Sequence, residues 1–227
     1  MGARGPKPKR IIFEKWTPNL AYAIGLIATD GCLSRPEFGY LIDLTSKDKE
    51  QLRNYCKCLG IPVTIGKKLS GTGKKSFRVQ FKNFLFYEFL LRLGITPAKS
   101  KTLGPLLIPD EYFFDFLRGA FDGDGCSYSY WDKRWKSSFM FYMGFASASK
   151  KYIDWIRQNV FKFLKIYGHV TKDGNGVTYQ LKYAKNDSIK LCKKLYYSKK
   201  VVCLQRKRLK IIKTLDIMGL SGRTIPV

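Results

Sequence analysis

Two stretches of the chain, 17–31 and 109–125, carry apolar residues at the spacing of an α-helix. The first begins with Thr17, a residue type that caps helices, and with Pro18, whose missing N–H costs nothing at the first helical position. The second begins with acidic residues, which the helix dipole favours in the first turn. Both stretches end at Asp-Gly, and a glycine just past the last turn suits the left-handed conformation. The pattern therefore predicts two helices, each with an aspartate at its C-terminal end.

Alternating apolar and polar residues predict strands after each of these helices. The clearest strand, 76–82, has Phe77, Val79 and Phe81 on its apolar face. The other strands are predicted at 39–45, 138–145 and 177–183, and further helices at 49–60, 84–94, 150–165 and 188–197. Each half of the chain then contains a helix, a strand pair, a helix, a strand pair and a helix, which predicts an α+β fold.

The two helical stretches also match each other in sequence. AIGLIATDGC (23–32) and RGAFDGDGC (118–126) align at one offset of 94 positions. This offset pairs Gly25 with Gly119, Asp30 with Asp124, Gly31 with Gly125 and Cys32 with Cys126. Repeated elements in the same order indicate an internal duplication. We expect a basic N-terminal arm at 1–15, a first half at 16–104 and a second half at 105–227.

The chain is strongly basic, with a formal net charge of +25 over 227 residues. With 45% hydrophobic and 15% aromatic residues it can build a folded core, which excludes a disordered basic tail. A charge of this size favours a polyanion, and nucleic acid is the leading partner. A membrane-surface binder fits less well because the basic residues recur in both halves.

The sequence also bears on location and on metal chemistry. No apolar run approaches the roughly 20 residues of a membrane helix, and the first residues lack the apolar segment of a signal peptide. We therefore expect an intracellular protein, in a bacterial cytoplasm or an organelle. The six cysteines lack CxxC spacing and there is a single histidine, so we expect reduced core cysteines and no zinc site.

The repeated segments AIGLIATDG and LRGAFDGDG resemble the two copies of the LAGLIDADG motif of homing endonucleases. The resemblance implies two pseudo-symmetric αββαββα repeats, with the motif helices packed at the centre and a DNA-binding β-saddle in the major groove. It also implies a monomer that needs no protein partner, because both motifs are in one chain. The implied activity is site-specific hydrolysis of both strands of a long, pseudo-palindromic DNA duplex, leaving 3′ overhangs.

Packed motif helices would bring Asp30 and Asp124 together, helped by small residues such as Gly25 and Gly119. Two neighbouring carboxylates are costly unless a divalent cation lies between them. Oxygen ligands favour Mg²⁺, with Mn²⁺ or Ca²⁺ able to replace it for binding. Each Asp-Gly could instead be only a helix terminator, but this alternative poorly explains two copies at one offset.

The resemblance also suggests residues that assist the two aspartates. The segments 97–103 and 204–210 resemble those that supply a basic residue to each metal site, which points to Lys101 and Lys207. Such a lysine would stabilise charge on the phosphorane or hold water, although an ordinary phosphate contact is an equal alternative. Ser46 and Ser147 occupy positions where relatives often carry a polar residue that orders water.

Base recognition is expected from the polar faces of the strands, where Arg suits guanine and Gln suits adenine. A further aromatic and basic segment after the second motif is predicted to be a DNA-facing hairpin, although its aromatic residues could instead pack locally. The candidate DNA-binding residues are Arg78, Gln80, Lys82, Thr178, Gln180, Lys182, Lys47, Tyr128, Tyr130, Lys133 and Arg134.

Two other functions are compatible with the same resemblance. A maturase would use the basic saddle to bind a folded intron RNA, and a transcriptional regulator would bind DNA without cutting it. Neither needs the acidic pair, so the presence of both Asp30 and Asp124 favours the endonuclease.

Overall fold

The structure is a computed structural model that describes residues 10–35, 37, 39–69, 73, 75–174, 176–220, 222 and 224–226. Residues 1–9 of the expected basic arm lie outside this range. In the part of the chain that is described, the elements form two similar sets, one in each half.

The first set follows the predicted order of helix, strand pair, helix, strand pair and helix. Its elements are α1 (Pro18–Asp30), β1 (Gly31–Leu33), β2 (Leu41–Ser46), α2 (Lys49–Leu59), β3 (Gly66–Leu69), β4 (Lys75–Lys82) and α3 (Phe84–Arg92).

The second set repeats this order and adds a helix. A 3-10 turn, Asp110–Tyr112, leads into α4 (Phe113–Asp124), β5 (Gly125–Trp131), β6 (Phe139–Ser147), α5 (Lys150–Leu164), β7 (His169–Lys172), β8 (Tyr179–Tyr183), α6 (Lys185–Leu195) and α7 (Gln205–Ile217). The added helix α7 was not predicted, because 204–210 was expected only as a basic segment after the last helix.

The two halves have the same sheet topology. Each contains a four-stranded antiparallel sheet, with the orders β1-β2-β4-β3 and β5-β6-β8-β7. Equivalent registers place Cys32 opposite Asp43 and Cys126 opposite Gly144, so the motif repeat continues into the strands. The predicted α+β fold of two pseudo-symmetric αββαββα repeats is confirmed.

Each sheet packs helices against one face. In the second sheet, Phe145 contacts Phe121 of α4, the Met143 backbone N–H bonds to Ser188 of α6, and Ser129 lies near Thr214 of α7. Because side chains alternate across a strand, residues between these positions lie on the opposite face. The polar residues of β4 and β8 lie on this open face in both sheets.

The start of α1 follows the prediction, whereas the predicted first turn of the second helix is the 3-10 turn Asp110–Tyr112 and α4 begins at Phe113. The ends of both helices differ from the prediction. Thr17 caps α1 by accepting a hydrogen bond of 3.0 Å from the Leu20 N–H. Gly31 and Gly125 have φ of −81° and −77°, so the predicted left-handed conformation is wrong. Both glycines enter a strand directly in an extended conformation. A Cβ at Gly31 would lie 2.6 Å from the Ile27 carbonyl oxygen, so glycine is required by close packing.

Three of the predicted DNA-facing positions lie elsewhere in the secondary structure than expected. Tyr128 and Tyr130 belong to β5, because the hairpin strand extends to Trp131 and only the residues after it form the turn. Thr178 precedes β8, where its carbonyl accepts from the Asp173 N–H across the turn.

Within the described residues, no helix combines the length and the apolar character that a membrane span needs.

Candidate functional site

The two motif helices pack backbone against backbone. A Cβ at Gly25 would lie 2.1 Å from the Phe116 carbonyl oxygen, and one at Gly119 would lie 2.0 Å from the Tyr22 carbonyl oxygen. Neither position has space for any side chain. The small residues of the two motifs therefore set the distance between α1 and α4, as the sequence predicted.

This packing brings the two motif aspartates together at the C-terminal ends of the helices. Oδ2 of Asp30 lies 3.2 Å from the place that a Cβ at Gly123 would occupy, one residue before Asp124. Burial, together with the charge of Asp124, raises the pKa of Asp30 to about 6. Asp124 is exposed, but partial desolvation still raises its pKa. The pair is thus electrostatically unfavourable when both carboxylates are ionised.

A glutamine of α2 holds Asp30 in place. The Gln51 side-chain amide donates a 2.6 Å hydrogen bond to Oδ2 of Asp30. Its carbonyl oxygen accepts a 2.9 Å bond from the Ser46 hydroxyl, which also accepts from the Asp48 N–H. Ser46 therefore reaches the aspartate through Gln51. The sequence analysis missed Gln51, although a polar residue in the apolar stripe of Leu52, Tyr55, Cys56 and Leu59 is a recognisable signal.

The second half arranges the equivalent positions differently. The Ser147 hydroxyl accepts a 3.1 Å bond from the Ser149 N–H, which closes a local turn. Tyr152 occupies the position of Gln51 in the repeat, and its buried hydroxyl has no hydrogen-bond partner among the described residues. The environments of Asp30 and Asp124 are consequently different, despite the symmetry of the backbone.

Two buried lysines bind the ends of the motif helices. Nζ of Lys99 donates to the Gly31 carbonyl at 2.6 Å, and Nζ of Lys207 donates to the carbonyls of Phe121, Gly123 and Gly125 at 2.7, 3.0 and 2.7 Å. The Phe121 and Gly123 carbonyls lie in the last turn of α4, at the negative end of its dipole, and Gly31 and Gly125 directly follow the two helices. Burial lowers the pKa of both lysines, and the motif aspartates act in the opposite direction.

The structure places Lys207 where the sequence predicted, but it places Lys99 rather than Lys101 beside the first motif. Lys99 and Lys101 share one 3-10 turn, Lys99–Lys101, and Lys101 is exposed at its end. Residues two positions apart in such a turn point in different directions. The lysine that contacts the first motif is therefore Lys99.

A third acidic residue, Asp122, is buried between the two halves. Its Oδ2 accepts from the Tyr22 hydroxyl of α1 at 2.7 Å and from the Leu204 N–H at 2.6 Å. Leu204 immediately precedes α7, which carries Lys207. Asp122 thus fixes α7 against the motif helices, and its burial raises its pKa to about 6.

The open face of the first sheet is polar and charged. Asp43 accepts from Gln80 at 3.2 Å and from the Thr45 hydroxyl at 2.7 Å, and it lies 3.6 Å from Arg78 and 3.7 Å from Lys68. This carboxylate was missed, because the strand 39–45 was predicted without an assignment of the residues on its polar face. It orients the predicted residues Arg78 and Gln80, while Lys82 is exposed at the end of β4.

The open face of the second sheet combines polar and aromatic residues. Gln180 lies opposite Ala146 and Lys182 opposite Gly144, so their side chains have small neighbours. Tyr128 stacks on Tyr142 with ring centroids 5.0 Å apart. Lys133 and Arg134 are exposed in the β5–β6 turn, and Lys47 is exposed in the β2–α2 turn, away from the strand faces.

The cysteines match the expectation of reduced core residues only in part. All six cysteines are free, but only Cys56, Cys192 and Cys203 are buried, whereas Cys32 and Cys126 are exposed on the open faces. The expectation of core cysteines is therefore wrong for this pair. Among the described residues, no group of three or more histidine, cysteine, aspartate or glutamate side chains could hold a metal by itself.

The chain is similar to several solved structures. I-DmoI in complex with DNA and Ca has 15% identity and a TM-score of 0.60, over 86% of this chain and 97% of that one. I-WcaI bound to its DNA recognition sequence has 15% identity and a TM-score of 0.57, over 86% and 88%. The N-terminal LAGLIDADG domain of DUF199/WhiA has 14% identity and a TM-score of 0.53, over 87% and 89%. A further I-DmoI structure contains DNA and Mn.

These similarities establish that the chain has the LAGLIDADG fold. No protein-family model matches the chain, and no curated protein sequence matches it.

Proposed function

We propose that the protein is a site-specific DNA endonuclease that hydrolyses phosphodiester bonds in both strands of a long duplex. The observation that carries this proposal is the pair Asp30 and Asp124 at adjacent helix ends, each beside a buried lysine. If each Asp-Gly only ended a helix, neither a neighbouring second carboxylate nor a buried lysine would be needed. The same four residues are suited to phosphodiester hydrolysis, in which negative charge develops on a phosphate.

Duplex DNA fits the charge and the surfaces of the chain. The net charge of +25 favours a polyanion, and both sheets have an open face with donors that suit base edges. The structures of I-DmoI and I-WcaI with DNA, on the same fold, support this partner. Because both motifs are in one chain, we expect one protein molecule per duplex.

The donor set fits a hard divalent cation. Asp30 and Asp124 offer oxygen ligands only, and burial raises the pKa of both carboxyls, so a bound cation would offset the cost of ionising them. Since two carboxylates do not complete a coordination shell, phosphate and water oxygens would supply the remaining ligands. Bound there, Mg²⁺ would polarise a phosphate oxygen and lower the pKa of a water. The I-DmoI structures with Ca and with Mn are consistent with divalent metals on this fold.

The other residues of the site hold these carboxylates and the phosphate. Gln51 fixes the orientation of Asp30, and Ser46 fixes Gln51. Lys99 and Lys207 neutralise the carbonyls at the helix ends, so that these carbonyls do not repel a phosphate. Their positive charge also stabilises the pentavalent state electrostatically.

A non-catalytic DNA-binding role is the second candidate. It is favoured by the similarity to a domain of WhiA, which is not named as an endonuclease. The maturase alternative predicts binding to a folded intron RNA instead. Both alternatives leave the crowded aspartate pair without a role.

Cleavage of a randomised duplex library with Mg²⁺, followed by sequencing of the ends, tests the proposal. We expect one family of long, imperfectly palindromic sequences, cut in both strands to leave 3′ overhangs. Enrichment of a duplex without any cut, in Mg²⁺ or Mn²⁺, would instead support the regulator. Binding to an intron RNA with no duplex enriched would support the maturase.

A further inference from the structure

The second sheet has an aromatic strip that the first sheet lacks. Tyr128 and Tyr130 of β5 and Tyr142 of β6 stack with ring centroids 5.0 to 6.4 Å apart and interplanar angles of 4° to 17°. All three lie on the open face, because the alternate residue Ser127 is buried and the Ser129 hydroxyl lies beside Thr214 of α7. The three rings therefore form one ordered apolar surface that no helix of the described chain covers.

The strip comes from an extension of one hairpin. Strand β5 runs for seven residues, Gly125–Trp131, whereas its counterpart β1 has three, Gly31–Leu33. In the repeat register, Tyr142 corresponds to Leu41 and Tyr128 to Ser34. The aromatic surface is thus an addition to the second half, outside the shared core of the fold.

The centres of the two open faces also differ. Asp43 of the first sheet organises Arg78 and Gln80, which are hydrogen-bonding groups. The same register position in the second sheet is Gly144, so the second face has no carboxylate at its centre. The second sheet thus offers an aromatic strip on its open face, where the first offers polar groups.

The duplex has one apolar group at its major-groove edge, the C5 methyl of thymine. Aromatic rings held rigidly by stacking give apolar contact at little entropic cost. Lys182 lies opposite Gly144 on the same face. Its positive charge favours binding of this surface to DNA over binding to an apolar partner.

Resting on the proposed function, we propose that Tyr128, Tyr130 and Tyr142 recognise thymine methyl groups in the half-site that faces the second sheet. The half-site that faces the first sheet, which has Leu41 and Ser34 in place of Tyr142 and Tyr128, is read through polar groups such as Arg78 and Gln80. The protein therefore requires thymines in one half of its target and has no such requirement in the other.

Replacing thymine by deoxyuridine tests this proposal, because it removes only the methyl group. The probe is the duplex enriched from the randomised library, and binding is measured without Mg²⁺, so that the result does not depend on cleavage. A Gln80→Ala variant identifies which half-site faces which sheet, because its base preference should relax only in the half that faces the first sheet. Each methyl lost from the other half should weaken wild-type binding about fourfold.

Variants extend the test to the named residues. In Tyr128→Ser/Tyr130→Ser/Tyr142→Ser, deoxyuridine should cost no further affinity, because all three rings are removed. Tyr167→Ser removes an exposed tyrosine outside the sheets and should keep the full deoxyuridine effect. Equal wild-type binding to thymine and deoxyuridine duplexes would overturn the proposal, as would a deoxyuridine effect that persists in the triple variant. A protein that enriches a duplex without cutting it would refute only the catalytic function.

Discussion

Replacing Asp30 by Asn should stabilise the metal-free protein at pH 8. Burial and the charge of Asp124 raise the pKa of Asp30 from an ordinary value of 3.8 to about 6. Holding this carboxylate ionised in the folded state costs about 3 kcal/mol, at 1.36 kcal/mol per pH unit. Asn carries no charge and keeps an oxygen that can accept the hydrogen bond from the Gln51 amide. We therefore expect the free energy of unfolding to increase by about 1–3 kcal/mol.

The pH dependence of this effect is set by the sign of the shift. A raised carboxyl pKa contributes stability that is present below about pH 4 and is lost as the pH rises through about 6. The wild type should thus lose stability over this range, and Asp30→Asn should lose less. The difference between the two proteins should disappear at pH 4, where the wild-type carboxyl is protonated.

Magnesium should reverse the order of stability, so that the wild type becomes more stable than Asp30→Asn. The cation requires an ionised carboxylate, so it should stabilise the wild type at pH 8, by about 2.7 kcal/mol at a concentration 100 times the dissociation constant. Mg²⁺ should stabilise the Asp30→Asn variant much less. Urea denaturation with and without Mg²⁺ measures both effects, with Asp173→Asn, an exposed carboxylate in the β7–β8 turn, as the control. The reasoning fails if Asp30→Asn destabilises the metal-free protein at pH 8, or if Mg²⁺ stabilises both proteins equally.

The remaining predictions concern the lysines, the helix crossing and the DNA surface. Lys99→Met should slow single-turnover cleavage by roughly 10²-fold or more, whereas Lys101→Met should leave the rate nearly unchanged. Gly119→Ala should destabilise the fold by about 2–3 kcal/mol in urea denaturation, because its Cβ would lie 2.0 Å from a backbone oxygen of α1, and Gly104→Ala, with open space around it, should not. Lys182→Ala should lower the slope of log affinity against log salt by about 1.

The backbone of the site was predictable because its signals are local. The Asp-Gly repeat, the Thr17 cap and the alternation of β4 each depend on neighbouring residues, and all of them hold. The conformation at the ends of the motif helices was not predictable, because a glycine there can turn left-handed or enter a strand, and strand pairing decides between the two. A side chain at position 31 would clash with Ile27, and the sequence alone does not show this close approach.

The residues around the aspartates were harder to predict because they come from distant segments. Lys99 and Lys101 are equally basic, and only the geometry of their turn decides which one is buried. Gln51 reaches Asp30 across 21 positions of the chain. Asp43 and Tyr142 depend on strand register, which fixes the open face only once the sheets are formed.

The central claim is that Asp30 and Asp124 together carry out cleavage, and strand-resolved cutting of the enriched duplex in Mg²⁺ tests it most directly. Wild-type protein should cut both strands, and Asp30→Asn or Asp124→Asn alone should cut at most one. Asp30→Asn/Asp124→Asn should cut neither strand while it binds the duplex with undiminished affinity. If the double variant still cuts the site with Mg²⁺, the chemistry occurs elsewhere and the account is wrong.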